Sequence, residues 1–202
     1  MNLSITQLAK LSSILALAGC AASTPAPVLL ALPPAVAISA PAAVVLTSAV
    51  PLLAVRRVGI PEYLQSRRVR YRADASTLAE WPNTYWAERI EIGVAREFNA
   101  ALRTQLPNWG LCDATCGDQT PALSAQIDLV PMDYVRRLQH LQAKVRITLS
   151  SPGAQPRVLQ AQELSYDLPA AADTPQAHAE ALTELLRQVA ASTAAMVIAQ
   201  PR

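Results

Sequence analysis

The residues of this chain that could do chemistry are few: three cysteines, two histidines and one pair of aspartates in the same stretch. Cys112 and Cys116 form C-x3-C in a loop that also holds Gly110, Gly117 and two aspartates. In an oxidising compartment that spacing points to a short disulfide. A metal site is the weaker reading, because neither a histidine nor a second cysteine pair lies near in sequence. His140 opens a strand-like run and His178 the wet start of a helix, so both read as solvated surface histidines. Asp128 and Asp133 could pair as carboxylates, but they read more simply as one outward strand residue and one turn residue. The chain contains no phosphate loop, no Gly-x-Ser-x-Gly and no His-Glu-x-x-His. Trp81 and Trp86 flank a loop at 83–85, and Trp86 reads as a core anchor for the helix that follows. These observations point away from an enzyme, and they call for no cofactor.

The third cysteine, Cys20, is different. Lys10 is the only charged side chain before Arg56, and residues 11–18 are apolar or small. A weakly positive start, a short apolar run and small residues before a cut site describe a signal peptide over residues 1–19. Leu17-Ala18-Gly19-Cys20 resembles the bacterial lipobox. There the thiol attacks a diacylglycerol donor, and small residues admit a membrane peptidase to the bond before the cysteine. The new amine takes a further acyl chain, palmitate for instance. Several chains are needed because one gives only marginal membrane binding. Export also places Cys112 and Cys116 in the oxidising compartment that a disulfide requires. Alanine at position 21, in place of aspartate, resembles the sorting signal for the outer membrane.

The elements that hold these residues follow from composition and period. At 202 residues and net charge +2, the chain has room for one domain with extensions and presents no strong field toward nucleic acid. Residues 20–50 are uncharged and divided by Pro25, Pro27, Pro33, Pro34 and Pro41, which rules out a membrane span. They read as a lipidated N-terminus and an Ala/Pro-rich tether, with 28–32 able to serve as a short first strand. Thirty extended residues would span on the order of 90 Å at ~3.1 Å each and lift the domain off the membrane.

The folded domain is expected over residues 51–200. Strand patterns cover 52–60, 67–72, 123–129, 141–149 and 157–168, and the alternation from Leu141 to Leu149 is the clearest. Trp86, Ile90, Val94, Phe98, Leu102 and Leu106 recur at steps of four and predict a helix capped by Asn83 or Thr84 and stopped by Pro107. Thr174-Pro175 opens a last helix with Leu182, Leu185, Leu186, Val189, Met196 and Val197 on its apolar face. The expected fold is α+β: a mostly antiparallel sheet of about five strands with two amphipathic helices packed on one face. Arg56, Arg57, Arg67 and Arg68 surround a Pro-Glu-Tyr-Leu turn. Together with Tyr63 they form a candidate partner-binding edge for an acidic partner or lipid headgroups, unless they are only a solvated rim.

Val55-Arg56-Arg57-Val58-Gly59-Ile60-Pro61-Glu62-Tyr63-Leu64-Gln65-Ser66-Arg67-Arg68-Val69 resembles a signature of the ABC-type transport auxiliary lipoproteins, the family of the paraquat-inducible intermembrane transport lipoprotein. Trp86-Ala87-Glu88 and the helix after it occupy the matching place, as do 123–150 and 174–199. Gln65-Ser66 stands where the family has Asp-Arg; the Cys112/Cys116 loop and the long tether are further departures. The resemblance implies a non-enzymatic, outer-membrane-anchored periplasmic auxiliary component. Its partners would be an inner-membrane transporter and a periplasmic mammalian-cell-entry (MCE) domain protein that conducts phospholipid, with the lipoprotein docking at the outer end, in a homo-oligomeric ring. The alternative is a structural or assembly lipoprotein that binds an outer-membrane barrel. A lipid-modified hydrolase would need a nucleophile with a nearby base, which neither histidine offers.

Overall fold

The computed structural model describes residues 25–36, 50–112, 116–117, 119–153 and 155–201. The expected signal peptide, Cys20 and tether residues 21–24 and 37–49 lie outside the described residues. Among those described, no helix is long and apolar enough to cross a membrane.

Alternating apolar residues build the centre of the sheet. The strands β6 (Leu123–Val135), β7 (His140–Ser150) and β8 (Val158–Pro169) run antiparallel, with Ile127 opposite Ile147 and Val145 opposite Leu164. The β7–β8 turn places Gly153 at φ +109°, a conformation that favours glycine. Leu141, Ala143, Val145, Ile147 and Leu149 are all buried, and the residues between them face away from the core. The buried side is covered by α1 (Ile90–Gln105) and α2 (Pro175–Ile198), which pack on each other. On α1 the stripe Ile90, Val94, Phe98 and Leu102 is buried, with Glu91 in the first turn and Arg103 in the last, as the helix dipole favours. On α2 the side chain of Thr174 accepts from the Ala177 amide at 3.1 Å, with proline in the first turn.

The sheet differs from the expected one in number and direction: among the described residues it has eight strands and is mixed. The other edge of β6 carries two strands in succession. Strand β2 (Leu52–Gly59) runs parallel along 123–128, and β3 (Arg68–Arg72) meets β6 at Val135. The 61–66 turn therefore advances the chain along β6 and does not fold it back on β2. The chain then reaches β6 through β4 (Leu78–Trp86), α1 and the short β5 (Gly110–Cys112), a crossover long enough for parallel pairing. Strand β5 adds to β2 in parallel, and β4 pairs antiparallel with β3.

Strand β4 corrects two expectations, the loop at 83–85 and a helix capped by Asn83 or Thr84. Trp86 fits the step of four but is buried from the end of a strand, and the helix begins at Ile90 after Arg89. The turn signal Pro82-Asn83 is used within the strand instead. Asn83 takes φ +50°, and the register with β3 shifts between Arg68 and Arg70.

The expected tether is also corrected, since residues 25–36 belong to the domain. Strand β1 (Val28–Leu30) pairs parallel with β4, and Leu30 and Leu32 are buried. The Asn83 side-chain amide donates to the carbonyls of Pro25 (2.8 Å) and Ala26 (3.0 Å). Thr183 donates to the Pro33 carbonyl at 3.1 Å, and buried Glu97 accepts from the Ala35 amide at 2.9 Å. Proline-rich composition specifies extended backbone, which serves an edge strand as well as a tether. The short first strand expected over 28–32 occupies 28–30.

Candidate functional site

With both helices on one side, the opposite side of the sheet is open. Strand alternation decides which side chains reach it. On β3, Val69 is buried on the core side, so Arg68, Arg70 and Arg72 project to the open side. On β6, Met132 and Tyr134 point to the core, and Asp133 between them points to the open side. Asp133 is thus a strand residue, correcting the turn expected there, and it has no pairing with Asp128, which accepts from Gln126.

Asp133 is the hub of one half of this face. Arg72 donates to it from two nitrogens, both at 2.9 Å, and the Tyr63 hydroxyl donates at 3.1 Å. Arg72 also lies over the Tyr63 ring. This cluster fills the fork where β2 ends and β3 begins, and it holds the 3-10 turn Glu62–Leu64 in place. Arg70 braces the same turn by donating to the Tyr63 carbonyl at 2.6 Å. Partial burial and the Asp133 carboxylate raise the pKa of the Tyr63 hydroxyl, and the hydrogen bond to Asp133 raises that of Arg72. Asp133→Ala should lower unfolding free energy by about 2 kcal/mol, the scale of hydrogen bonds to charged groups. Asp133→Asn, which keeps the shape, should cost less, and urea unfolding midpoints check both.

The five expected partner residues occupy this face or its rim, but they divide into two groups. Arg67 donates to the carbonyls of Trp86 and Ala87 at 3.3 and 3.4 Å, and Arg68 pairs with Glu80 at 3.2 Å and lies over the Tyr85 ring. Tyr63 is tied to Asp133. Arg56 and Arg57, on β2, are exposed and have no ion pair among the described residues. Strands β2 and β3 do not pair with each other, so the expected single edge is two patches, one tied into the fold by its own contacts and one open.

Sequence reasoning missed the rest of this face. A shallow depression of about 450 Å³ lies over β6, β7 and β8, with Asp128, Val130, Lys144, Arg146, Glu163 and Ser165 among its lining residues. A second, of about 330 Å³, adjoins it at Lys144 and Ser165 and reaches Asp167. The signal was present as the polar half of the β7 alternation, Gln142, Lys144, Arg146 and Thr148. It could not be told from ordinary solvated residues until both helices were seen on the other side.

The histidines separate. His140 is half-exposed and hydrogen-bonds Asp167, whose carboxyl is held below its usual pKa by that contact. His178, expected at the surface, is buried. It stacks on Tyr134 with ring centroids 4.7 Å apart and meets Trp86 edge-on at 6.1 Å. Its Nδ1 has no hydrogen-bond partner among the described residues, and desolvation lowers its pKa to about 4. Tertiary packing against β6 overrides the wet helix start. Trp81 is likewise buried, against Tyr71, with Arg136 over both rings. Cys112 and Cys116 are joined as a disulfide with Cα atoms 5.0 Å apart. Among the described residues, no group of three or more His, Cys, Asp or Glu side chains could hold a metal ion.

The family model for the ABC-type transport auxiliary lipoprotein component matches residues 31–194. The chain belongs to that family. Membership places this auxiliary lipoprotein with membrane-anchored periplasmic proteins that associate with an ABC transport system. The match begins at residue 31, inside the docked N-terminal segment, and covers β2 to β8, α1 and α2 as far as Ala194. Two solved structures share the fold. One is an uncharacterized protein at 16% identity, with TM-score 0.67, covering 86% of this chain and 99% of that one. The other is a DUF330 protein from Xanthomonas campestris at 17% identity, with TM-score 0.60, covering 85% of this chain and 92% of that one. No curated protein matches the chain.

Proposed function

We propose that this protein is an outer-membrane-anchored periplasmic lipoprotein serving as the auxiliary component of an MCE/ABC-type intermembrane lipid transport system. It acts by docking and not by catalysis. Several copies surround the outer end of an MCE assembly, and each presents its open sheet face to it. The family membership carries this reading, and the two-sided sheet supports it. One side is filled by helices; among the described residues the other is uncovered, largely polar, and bears Arg56 and Arg57 without an ion pair. Exposed guanidinium groups suit carboxylates on a protein partner, which they can bind with two parallel hydrogen bonds.

The choice of test follows from the two patches. Reversing Arg67 and Arg68 would break contacts to Glu80 and to the Trp86 and Ala87 carbonyls, and so mix folding with binding. Arg56 and Arg57 are free of such contacts. Arg56→Glu combined with Arg57→Glu should leave the urea midpoint unchanged and weaken co-purification with the MCE partner at least tenfold, about 1.4 kcal/mol. The assay uses the whole operon and gently solubilised membranes. Undiminished co-purification would remove this patch as the contact. A wild type that brings down no MCE protein, but an outer-membrane barrel, would replace the transport reading itself.

A further inference from the structure

The docking of residues 25–36 fixes where the membrane must lie. The nearest described residue to the expected anchor at Cys20 is Pro25, held with Ala26 by Asn83 at the sheet's β1 edge. Five residue steps separate Cys20 from Pro25, and fully extended they reach about 17 Å at ~3.4 Å each. The polar layer of a bilayer already takes up about 5–8 Å of that. The anchor therefore cannot hold the domain far off; it holds the β1 edge at the membrane surface.

That edge has the chemistry of a lipid contact. Val28 and Leu29 are 44% and 59% exposed. Leu29 lies beside Tyr85, and Tyr85 beside Arg68, in register across β1, β4 and β3 on the open side. An aliphatic residue, a tyrosine and an arginine in a row match the layers of a bilayer surface. The first meets acyl chains, the ring sits at headgroup level, and the guanidinium, 51% exposed beside Glu80, turns its open side to phosphate. The opposite edge, β8, stands five strand spacings away, about 24 Å.

We propose that the β1 edge, through Leu29, Tyr85 and Arg68, rests on the phospholipid surface that carries the anchor, so that the sheet stands up from the membrane with β8 outermost. The inference rests on acylation of Cys20. The open face is then presented sideways, with Arg56 and Arg57 clear of the lipid.

Tryptophan quenching by brominated acyl chains tests this on the mature, acylated protein in phosphatidylethanolamine–phosphatidylglycerol vesicles. Leu29→Trp is compared with Val158→Trp on β8, whose wild-type side chain is 65% exposed, and each is corrected for the native tryptophans. Val28→Trp replaces Leu29→Trp if the latter fails to fold. The expected result is at least threefold stronger quenching on β1 than on β8. Acylated protein that floats with the vesicles but is quenched equally at both edges overturns the orientation and leaves the anchor standing. Protein that carries no palmitate and does not float overturns the anchor, and the orientation with it.

Discussion

Unfolding free energy should fall by about 3 kcal/mol between pH 7 and pH 4 through His178 alone. The folded pKa is lowered to about 4 from the ordinary 6.5, because burial strips the imidazolium of water. Above pH 6.5 the ring is neutral in both states and the full stability is present. Between 6.5 and 4 only the unfolded chain takes up the proton, so stability drops as pH falls. Below 4 the folded protein binds it too and the dependence ends. The ring is stacked on Tyr134 and meets Trp86, and its Nδ1 is unpaired, so folding gains no hydrogen bond there. His178→Phe keeps a flat ring of similar size and removes the titration. Its urea midpoint should fall much less than that of the wild type over this window, the remainder coming from carboxylates such as Asp167. The two proteins should differ most at pH 4, where the variant is the more stable. Parallel curves for both would mean that His178 is protonated in the folded protein.

His178 also shows where sequence reasoning reaches its limit. Period named the strands β2, β3, β7 and β8 to within a residue or so and the last helix from its cap, because alternation and a step of four are local properties, while the start of α1 and the second half of β6 were missed. Leu141 to Leu149 had to share one side whatever lay next to them. Partners are not local. Trp86 satisfies the step of four from Ile90 and yet sits on β4, since a strand end and a helix start can present the same side chain to one core. Three apolar residues at 28–30 are too few for any period to show, and they become a strand only because β4 offers an edge. Strand direction is not written in alternation at all, so the parallel pairing of β2 with β6 could not be read. The candidate site divides in the same way. Arg56, Arg57, Tyr63, Arg67 and Arg68 were legible as a cluster from their spacing around the 61–66 turn. Glu80, which pairs with Arg68, and Asp133, which accepts from Tyr63, come from other strands and are visible only in three dimensions.

Replacing Cys20 by alanine should abolish palmitate incorporation and release the protein from the membrane while leaving the domain folded. In the acylation chemistry that Leu17-Ala18-Gly19-Cys20 resembles, the Cys20 sulfur forms a thioether to diacylglycerol, cleavage before Cys20 frees its amine, and the amine accepts another chain. Alanine provides no sulfur, so the first step fails and those that depend on it do not follow. The energetic consequence is large, because each buried methylene contributes ~0.8 kcal/mol and stable anchoring needs more than one chain. No helix of the described residues is long and apolar enough to cross a bilayer in its place. The exposed apolar pair on β1, Val28 and Leu29, is far smaller than a set of acyl chains. Folding should survive, because the core of the described residues is built from side chains between Leu30 and Val197. Cells expressing the wild type and Cys20→Ala are labelled with palmitate and fractionated. Label and membrane association are expected only in the wild type, and both should share one unfolding midpoint when the domains are purified. Equal labelling would show that the acyl chains sit elsewhere. A labelled wild type beside an unlabelled variant that stays on the membrane would show a second attachment, and the β1 edge would be the first place to look for it.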